Sequence, residues 1–238
     1  MIGILMLITL SGVDCAGKST QIELLRQYFI SIGKSCTVFW YRPGYSNEMQ
    51  NIKKVIRPLL DSTCYIKRGF DKWRGTEKAE NGVVAADAAK SPDAPKKHTV
   101  PAPIWLSTAM IDTVVQWGLR LRYLCRRYDV VICDRYVEDA RLDLMLKYPQ
   151  YIWTDSTMQW LAKVLPRPDF SFLLWIPADE MIRRAEIKQE PFPDDVHTRQ
   201  MRYRAYEFVA EQDNIILIDA ACSVEETHRE ILEHLEKK

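Results

Sequence analysis

A glycine-rich segment near the N-terminus has the residues and the spacing of a phosphate-binding loop. It consists of Gly12, Val13, Asp14, Cys15, Ala16, Gly17, Lys18, Ser19 and Thr20. This run matches the pattern G-x-x-x-x-G-K-[ST], in which backbone amides and a helix N-terminus bind the phosphates of a nucleotide. Lys18 is then expected to reach the β- and γ-phosphates, and the Ser19 hydroxyl to coordinate Mg²⁺. The nine residues therefore predict a binding site for Mg-ATP.

A second candidate is an apolar run that ends in an acidic residue, Val130 to Asp134. In P-loop enzymes a carboxylate at the end of a buried strand holds the metal ion, directly or through water. Such a run is also common where an ordinary strand meets a loop, so the interpretation depends on the phosphate loop. Taken with that loop, it predicts that Ser19 and Asp134 bind Mg²⁺.

The segments that position these residues alternate between short apolar runs and helical patterns. After the first run, Ile22, Leu25, Phe29 and Ile32 recur at helical spacing, and Gly33 supplies a helix stop. This alternation predicts an α/β fold of the P-loop NTPase type, a three-layer sandwich whose five-stranded parallel sheet has helices on both faces. The predicted strands are Ile4 to Leu10, Thr37 to Tyr41, Val130 to Cys133, Phe172 to Ile176 and Ile215 to Ile218.

One long stretch interrupts the alternation between the second and third predicted strands. Residues 67–103 are rich in Lys, Asp, Ala, Gly and Pro. A solvated, flexible insertion is the favoured interpretation, and a functional lid is the alternative. The whole chain, residues 1–238, is expected to form a single P-loop kinase domain that contains this insertion.

Charge and composition argue against several classes of partner. The 33 Lys and Arg residues nearly balance the 32 Asp and Glu residues, so no global field would recruit nucleic acid or a membrane surface. No apolar stretch reaches the roughly 20 residues that cross a bilayer. The six cysteines show no CxxC pair or regular spacing, which fits a reducing compartment. We therefore expect a soluble, cytoplasmic protein.

Three features together identify a family. They are an Asp inside the phosphate loop (Asp14), the pair Arg42-Pro43 after the second strand, and the run Asp134-Arg135-Tyr136 after the third. With the closing text from Ile218 to Glu226, they make the chain similar to the thymidylate kinase family. The resemblance implies a nucleoside monophosphate kinase that uses Mg-ATP, a mobile lid, and often a homodimer.

The resemblance also implies roles for individual residues. Asp14 would face the sugar hydroxyl of the acceptor, Arg42 and Pro43 would lie beside the acceptor, and Arg135 would grip its phosphate. Tyr136, next to Arg135, would also bind the acceptor. Bidentate arginine contacts suit phosphate, although an ordinary ion-pairing arginine is the alternative. Asp219 and Ala220 resemble the loop on the adenine side of ATP.

The lid is expected to follow the fourth strand, from Ala178 to Pro193. Arg183, Arg184 and Lys188 are its candidate catalytic cations, because a lid or P-loop arginine neutralises the transferring phosphate in this family. Cys15 stands where some members of the family carry the P-loop arginine, so the lid would have to supply the cation. A solvated basic helix face is the alternative for each lid residue.

The sequence departs from the family where the acceptor base is read. Family members usually present a thymine-reading arginine on the helix before the third strand, but Trp105 to Gln116 contains none. Asp112 and, after the third strand, Asp139 are the candidates for binding the acceptor there. For Asp139, a favourable charge at a helix N-terminus is the competing explanation.

These observations predict an ATP-dependent nucleoside monophosphate kinase with dTMP as the default acceptor. The missing arginine leaves open another nucleotide, a nucleoside or a phosphorylated metabolite as the acceptor. A non-catalytic ATP-binding module is a further alternative, which Lys18, Ser19, Asp134 and Arg135 disfavour. ATP turnover without an acceptor would indicate an ATPase instead.

Overall fold

A computed structural model describes residues 6–43, 101–188, 196–211 and 214–237. The chain divides into two compact units, one formed by Met1–Pro43 with Met110–Lys238 and the other by Gly44–Ala109. The first unit contains the sheet and the candidate site. In the second unit the structure describes residues 101–109, where a helix begins. The hydroxyls of Ser107 and Thr108 each donate a hydrogen bond to the backbone carbonyl four residues earlier. A single domain over residues 1–238 stays a prediction.

The first unit is built on a five-stranded parallel sheet with the strand order β2-β3-β1-β4-β5. Its strands are β1 (Met6–Gly12), β2 (Cys36–Trp40), β3 (Val130–Asp134), β4 (Phe170–Trp175) and β5 (Ile216–Asp219). The predicted strands are confirmed to within two residues over the described range, and so is the α/β fold of P-loop type. Apolar runs such as Leu7 to Leu10 and Val130 to Cys133 form strands because a central parallel strand is covered on both faces.

The described residues also form helices. They are α1 (Lys18–Ser31), α2 (Ala102–Thr113), a π-helical segment (Val114–Arg120), α3 (Leu121–Arg127), α4 (Val137–Lys147), α5 (Trp153–Val164), α6 (Ala178–Lys188), α7 (Val196–Ala210) and α8 (Val224–Glu236). Helix α1 ends before Gly33, whose φ of 76° suits glycine. Ile22, Leu25 and Phe29 are buried as predicted, but Ile32 is exposed because it lies beyond the end of the helix.

The strand register brings the two predicted nucleotide-binding segments to one edge of the sheet. Leu10 of β1 is level with Asp134 at the end of β3, and the Arg135 amide donates to the Leu10 carbonyl over 3.1 Å. The neighbours of β1 are β3 on one side and β4 on the other, so chain connections leave in opposite directions there. Open parallel sheets bind ligands at the carboxyl ends of strands at such a point.

Some sequence predictions fall outside the described residues. A second apolar stripe in the sequence, formed by Ile52, Val55, Ile56 and Leu59 after the second predicted strand, lies there, as does the predicted insertion up to residue 100. The last residues assigned to that insertion, Ala102 and Pro103, instead begin α2. No helix within the four described ranges is long and apolar enough to cross a bilayer.

Candidate active site

The loop between β1 and α1 has positive φ angles at three positions, and two of these are glycines. Gly12 has a φ of 150°, and a Cβ atom there would lie 2.4 Å from the Leu174 carbonyl oxygen of β4. Gly17, just before α1, has a φ of 82° in the left-handed region, and Cys15 has a φ of 61°. Glycine accepts these angles at little cost, whereas a side chain at position 12 would clash with β4. The loop therefore turns tightly over the carboxyl end of β1.

Lys18 lies folded over this loop. Its Nζ atom donates to the carbonyls of Gly12 and Val13, each over 2.8 Å. The pKa of Lys18 is lowered from 10.5 to about 8, chiefly by burial and then by the nearby Arg135, while the carboxylates of Asp14, Asp139 and Asp134 oppose this shift in part. An ammonium group with a depressed pKa is poised to gain from a polyanion such as a nucleotide phosphate.

The depressed pKa predicts pH-dependent nucleotide binding. Phosphates favour the charged form of Lys18, so its pKa rises on binding and, above about pH 8, ATP binding takes up a proton. The affinity for ATP is expected to fall as the pH rises through about 8 and to change little from this group below about pH 7. Calorimetric titration from pH 6.5 to 9.5 in two buffers of different ionisation enthalpy measures both effects.

A Lys18→Arg variant is the control for this titration, because a guanidinium stays charged throughout the range. It should bind ATP more weakly but with a flatter pH profile. The same pH dependence in both proteins would show that another group is responsible.

Asp134 ends β3 beside the loop, and Ser19 lies in the first turn of α1. Burial raises the pKa of Asp134, and the cations Arg135 and Lys18 partly offset this effect. A partly desolvated carboxylate gains from a divalent cation, and Mg²⁺ bound with a nucleotide usually needs few protein ligands. The residues present therefore fit the metal that the phosphate loop implies.

Arg135 holds a guanidinium at the centre of the site. Its backbone is in the left-handed region with a φ of 72°, which directs the chain from β3 into α4. Its Nη2 atom lies 3.8 Å from Asp14 Oδ1, and its Nη1 atom lies 3.7 Å from Asp139 Oδ1. Nη1 is buried and has no hydrogen-bond partner within the described residues. A buried donor of this kind is costly unless a ligand satisfies it.

Asp139 is the buried acceptor at the start of α4. Its Oδ2 atom accepts from the Ser11 hydroxyl at 2.5 Å and from the Tyr136 amide at 3.0 Å, and its Oδ1 atom accepts from the Tyr206 hydroxyl at 2.5 Å. The side chain is 1% exposed. Both oxygens are thus engaged by protein groups, and the contact with the Tyr136 amide caps the N-terminus of α4.

A second buried carboxylate, Asp143, lies one turn further along α4 between two arginines. Arg42 Nε donates to its Oδ2 atom and Arg202 Nη1 to its Oδ1 atom, each over 2.5 Å. Burial alone would raise the pKa of Asp143, but Arg42 and Arg202 outweigh it and lower the pKa. Asp143 is therefore ionised, and it links Arg42, which follows β2, to Arg202 on helix α7.

Sequence reasoning missed three members of this arrangement: Ser11, Arg202 and Tyr206. The available signal was spacing. Asp139 and Asp143 are four residues apart on α4, and Arg202 and Tyr206 are four residues apart on α7, so each pair shares one helix face. Partnership between the two faces could not be read from the sequence because α7 itself was not predicted.

The side where the acceptor base was expected carries buried polar groups among aromatic rings. The Tyr41 hydroxyl lies 3.1 Å from both Asp112 Oδ2 and Thr113 Oγ1. The Tyr41 ring packs edge-on against Trp117 at 5.1 Å, and Trp117 packs against Tyr136 at 4.9 Å. Tyr136 donates its hydroxyl to the Pro166 carbonyl. This cluster follows β2 and β3, on the same sheet edge as Arg135.

Two of the predicted lid cations interact with their own helix. Arg183 and Arg184 both pair with Glu180 on α6, and Arg184 also donates to the Ala220 carbonyl at 3.0 Å. Arg184 thus contacts the loop that was predicted to lie beside adenine. In that loop, Asp219 accepts from the Ala221 amide. Lys188 is the last residue of α6, and its side chain lies outside the described part of the structure.

The chain is similar in sequence to known proteins of one family. The sequence model of the family described as thymidylate kinase matches residues 122–231. The chain is 26% identical to a probable thymidylate kinase of Pyrococcus abyssi (strain GE5 / Orsay) over 232 residues, which are 94% of this chain and 93% of that protein. A probable thymidylate kinase of Pyrococcus horikoshii is 27% identical with the same coverage, and a thymidylate kinase of Sulfurihydrogenibium sp. is 23% identical over 97% of both chains. These likenesses confirm the predicted resemblance.

Proposed function

Because the chain is thymidylate-kinase-like, we propose that it transfers the γ-phosphoryl group of Mg-ATP to a nucleoside monophosphate, with dTMP as the default acceptor. The observation that carries this proposal is the Arg135 guanidinium next to the phosphate loop, whose buried Nη1 atom has an ion-pair contact with Asp139 but no hydrogen-bond partner within the described residues. The phosphate of an acceptor would satisfy that donor. Its position between Asp14 and Asp139 supports a site where donor and acceptor phosphates meet.

On the donor side, the residues from Gly12 to Thr20 cradle the phosphates of ATP. Lys18 exchanges its two carbonyl contacts for phosphate oxygens, and the backbone amides at the start of α1 add positive potential. Ser19 and Asp134 would hold Mg²⁺, which neutralises phosphate charge when bound. Asp219, Ala220 and the nearby Arg184 support an adenine position beside the loop after β5.

On the acceptor side, Arg42 and Arg135 bind the phosphate, and Asp14 faces the sugar hydroxyl. Two guanidinium groups from the ends of adjacent strands can orient a phosphate in line with the γ-phosphate, which supplies much of the catalysis in phosphoryl transfer. A lid cation among Arg183, Arg184 and Lys188 completes the neutralisation. Each of these roles is part of the proposal.

The proposed activity is tested by ADP production from Mg-ATP across dTMP, dUMP, UMP, CMP, AMP, GMP and thymidine, with an acceptor-free control. We expect ADP formation to depend on a nucleoside monophosphate, with dTMP preferred. Equal rates with and without every acceptor would contradict the proposal and indicate an ATPase.

A second candidate keeps the reaction but changes the acceptor. Asp112 and Thr113 are buried beside the Tyr41 hydroxyl in the region where an arginine was expected. A carboxylate only accepts hydrogen bonds, whereas an arginine only donates them. This region therefore offers a base hydrogen-bond acceptors where the expected arginine would offer donors. A base with an exocyclic amine would suit it, and selective activity with CMP, AMP or GMP would favour this candidate.

The homodimer and the cytoplasmic location are also proposals. Exposed apolar side chains recur every four residues along the helical run before β3, at Ile111, Val115, Leu119 and Tyr123, with exposures of 65%, 44%, 67% and 62%. Such a stripe suits two-fold contact with the same stripe of a second copy. The five described cysteines are free of disulfides, which supports a reducing compartment.

The stripe gives the dimer a direct test. The mass in solution, measured by light scattering, is expected to be that of two chains, and Leu119→Glu is expected to reduce it to one. Lys34→Glu, at an exposed position after α1, is the matched control for a surface charge change. A monomeric unmodified protein would contradict the dimer.

A further inference from the structure

We propose that four residues on helices α4 and α7 act as positioning residues for the acceptor-binding arginines. This α4–α7 network consists of Asp139, Asp143, Arg202 and Tyr206. The inference rests on the proposed function, because it gives the network the task of holding Arg42 and Arg135 toward the acceptor phosphate. Residues of this kind need not touch either substrate.

The network forms two matched contacts between the helices. Asp139 accepts from Tyr206 and, four residues along α4, Asp143 accepts from Arg202, four residues back along α7. Asp139 and Asp143 are 1% and 6% exposed, and Tyr206 and Arg202 are 0% and 6% exposed. Because all four are buried, each contact is shielded from solvent and fixes a single geometry.

Each contact also holds one of the acceptor-side arginines. Asp143 binds Arg42 with one oxygen and Arg202 with the other, so Arg202 anchors the carboxylate that orients Arg42. Asp139 Oδ1 lies 3.7 Å from Arg135 Nη1 and accepts a hydrogen bond from the Tyr206 hydroxyl. A flexible arginine loses side-chain entropy when it binds a ligand, and fixing it beforehand reduces that cost.

Asp139 further connects the acceptor side to the donor side. Its second oxygen accepts from Ser11, the residue before Gly12 of the phosphate loop, and from the Tyr136 amide. One carboxylate thus fixes the distance between the start of the phosphate loop and Arg135. In-line transfer requires reacting atoms about 3–3.5 Å apart, so small displacements here are costly.

The test is steady-state kinetics on Asp143→Asn, Arg202→Met, Arg202→Lys and Tyr206→Phe, with acceptor and ATP varied separately. We expect Asp143→Asn and Arg202→Met to raise the KM for the acceptor by about 10-fold or more while the KM for ATP changes less than about 2-fold. Arg202→Lys should recover part of the loss, since it restores the charge. Tyr206→Phe keeps the ring and removes one hydrogen bond, so it should fold and show a smaller shift of the same kind.

The matched control is Asp155→Asn, which breaks the ion pair between Asp155 on α5 and Arg141 on α4, at 2.9 Å, away from the acceptor arginines. It should lower Tm without raising the KM for the acceptor relative to the KM for ATP. If the network variants, Tyr206→Phe included, also lower Tm without a selective rise in the KM for the acceptor, the inference is overturned and the network has a purely structural role. Absence of acceptor-dependent transfer by the unmodified enzyme would instead overturn the proposed function, and the inference with it.

Discussion

Replacing Lys18 with alanine is expected to abolish phosphoryl transfer, with a loss in kcat of at least about 1,000-fold. Lys18 is the cation that lies over the phosphate loop, and its contacts with the carbonyls of Gly12 and Val13 hold it above the carboxyl end of β1. Alanine removes this charge from the phosphoryl group in flight. The rate is measured as ADP formation with saturating acceptor.

Lys34→Ala is the matched control, because Lys34 is an exposed lysine just beyond the end of α1. It should retain full activity, and both variants should melt near the temperature of the unmodified protein. The burial of an ammonium with a depressed pKa opposes folding, so the alanine variant at position 18 is not expected to be less stable. Substantial turnover by Lys18→Ala would contradict the assignment of a phosphate loop.

The second large effect is expected from Arg135→Ala. We expect kcat/KM for the acceptor to fall by about 100-fold or more, since a charge-assisted contact with a phosphate is lost in a partly desolvated site. The affinity for ATP should change much less, because the backbone and Lys18 bind its phosphates. Separate titrations of acceptor and ATP distinguish these effects.

Two further variants sharpen this prediction. Arg135→Lys should recover part of the activity, although it loses the planar guanidinium that can bind phosphate through two bonds. Arg26→Ala removes an exposed arginine that pairs with Glu23 on α1 and should leave both constants unchanged. An acceptor dependence that Arg135→Ala leaves intact would remove Arg135 from the acceptor site.

The sheet and the phosphate loop could be predicted from the sequence because their signals are local. Buried parallel strands are continuous apolar runs, and the loop has fixed spacing between Gly12 and Lys18. The capping box of Ser223 and Glu226, three residues apart, is equally local, and it is present at the start of α8.

The acceptor side could not be predicted in the same way because its contacts join distant segments. Asp143 binds Arg42 across 101 positions and Arg202 across 59. Whether an acidic residue on a helix is solvated or buried against an arginine depends on which helix packs there, and α7 has no strong periodic signal. The π-helical segment from Val114 to Arg120 is likewise a change of hydrogen bonding that residue spacing does not reveal.

The predicted lid cations are an intermediate case. The cations Arg183 and Arg184 were correctly located on a helix after β4, since their spacing and the preceding strand define it. Their pairing with Glu180 follows from three- and four-residue spacing within that helix. The contact of Arg184 with Ala220 depends on the tertiary fold, so the sequence could not reveal it.

The most direct test of the central claim follows the phosphoryl group itself. The enzyme is incubated with Mg-ATP labelled at the γ-phosphate together with dTMP or another acceptor that supports ADP formation, and the products are separated. The label is expected in the nucleoside diphosphate, with one labelled phosphate transferred for each ADP formed. Label released only as inorganic phosphate, at a rate that no acceptor changes, would contradict the central claim.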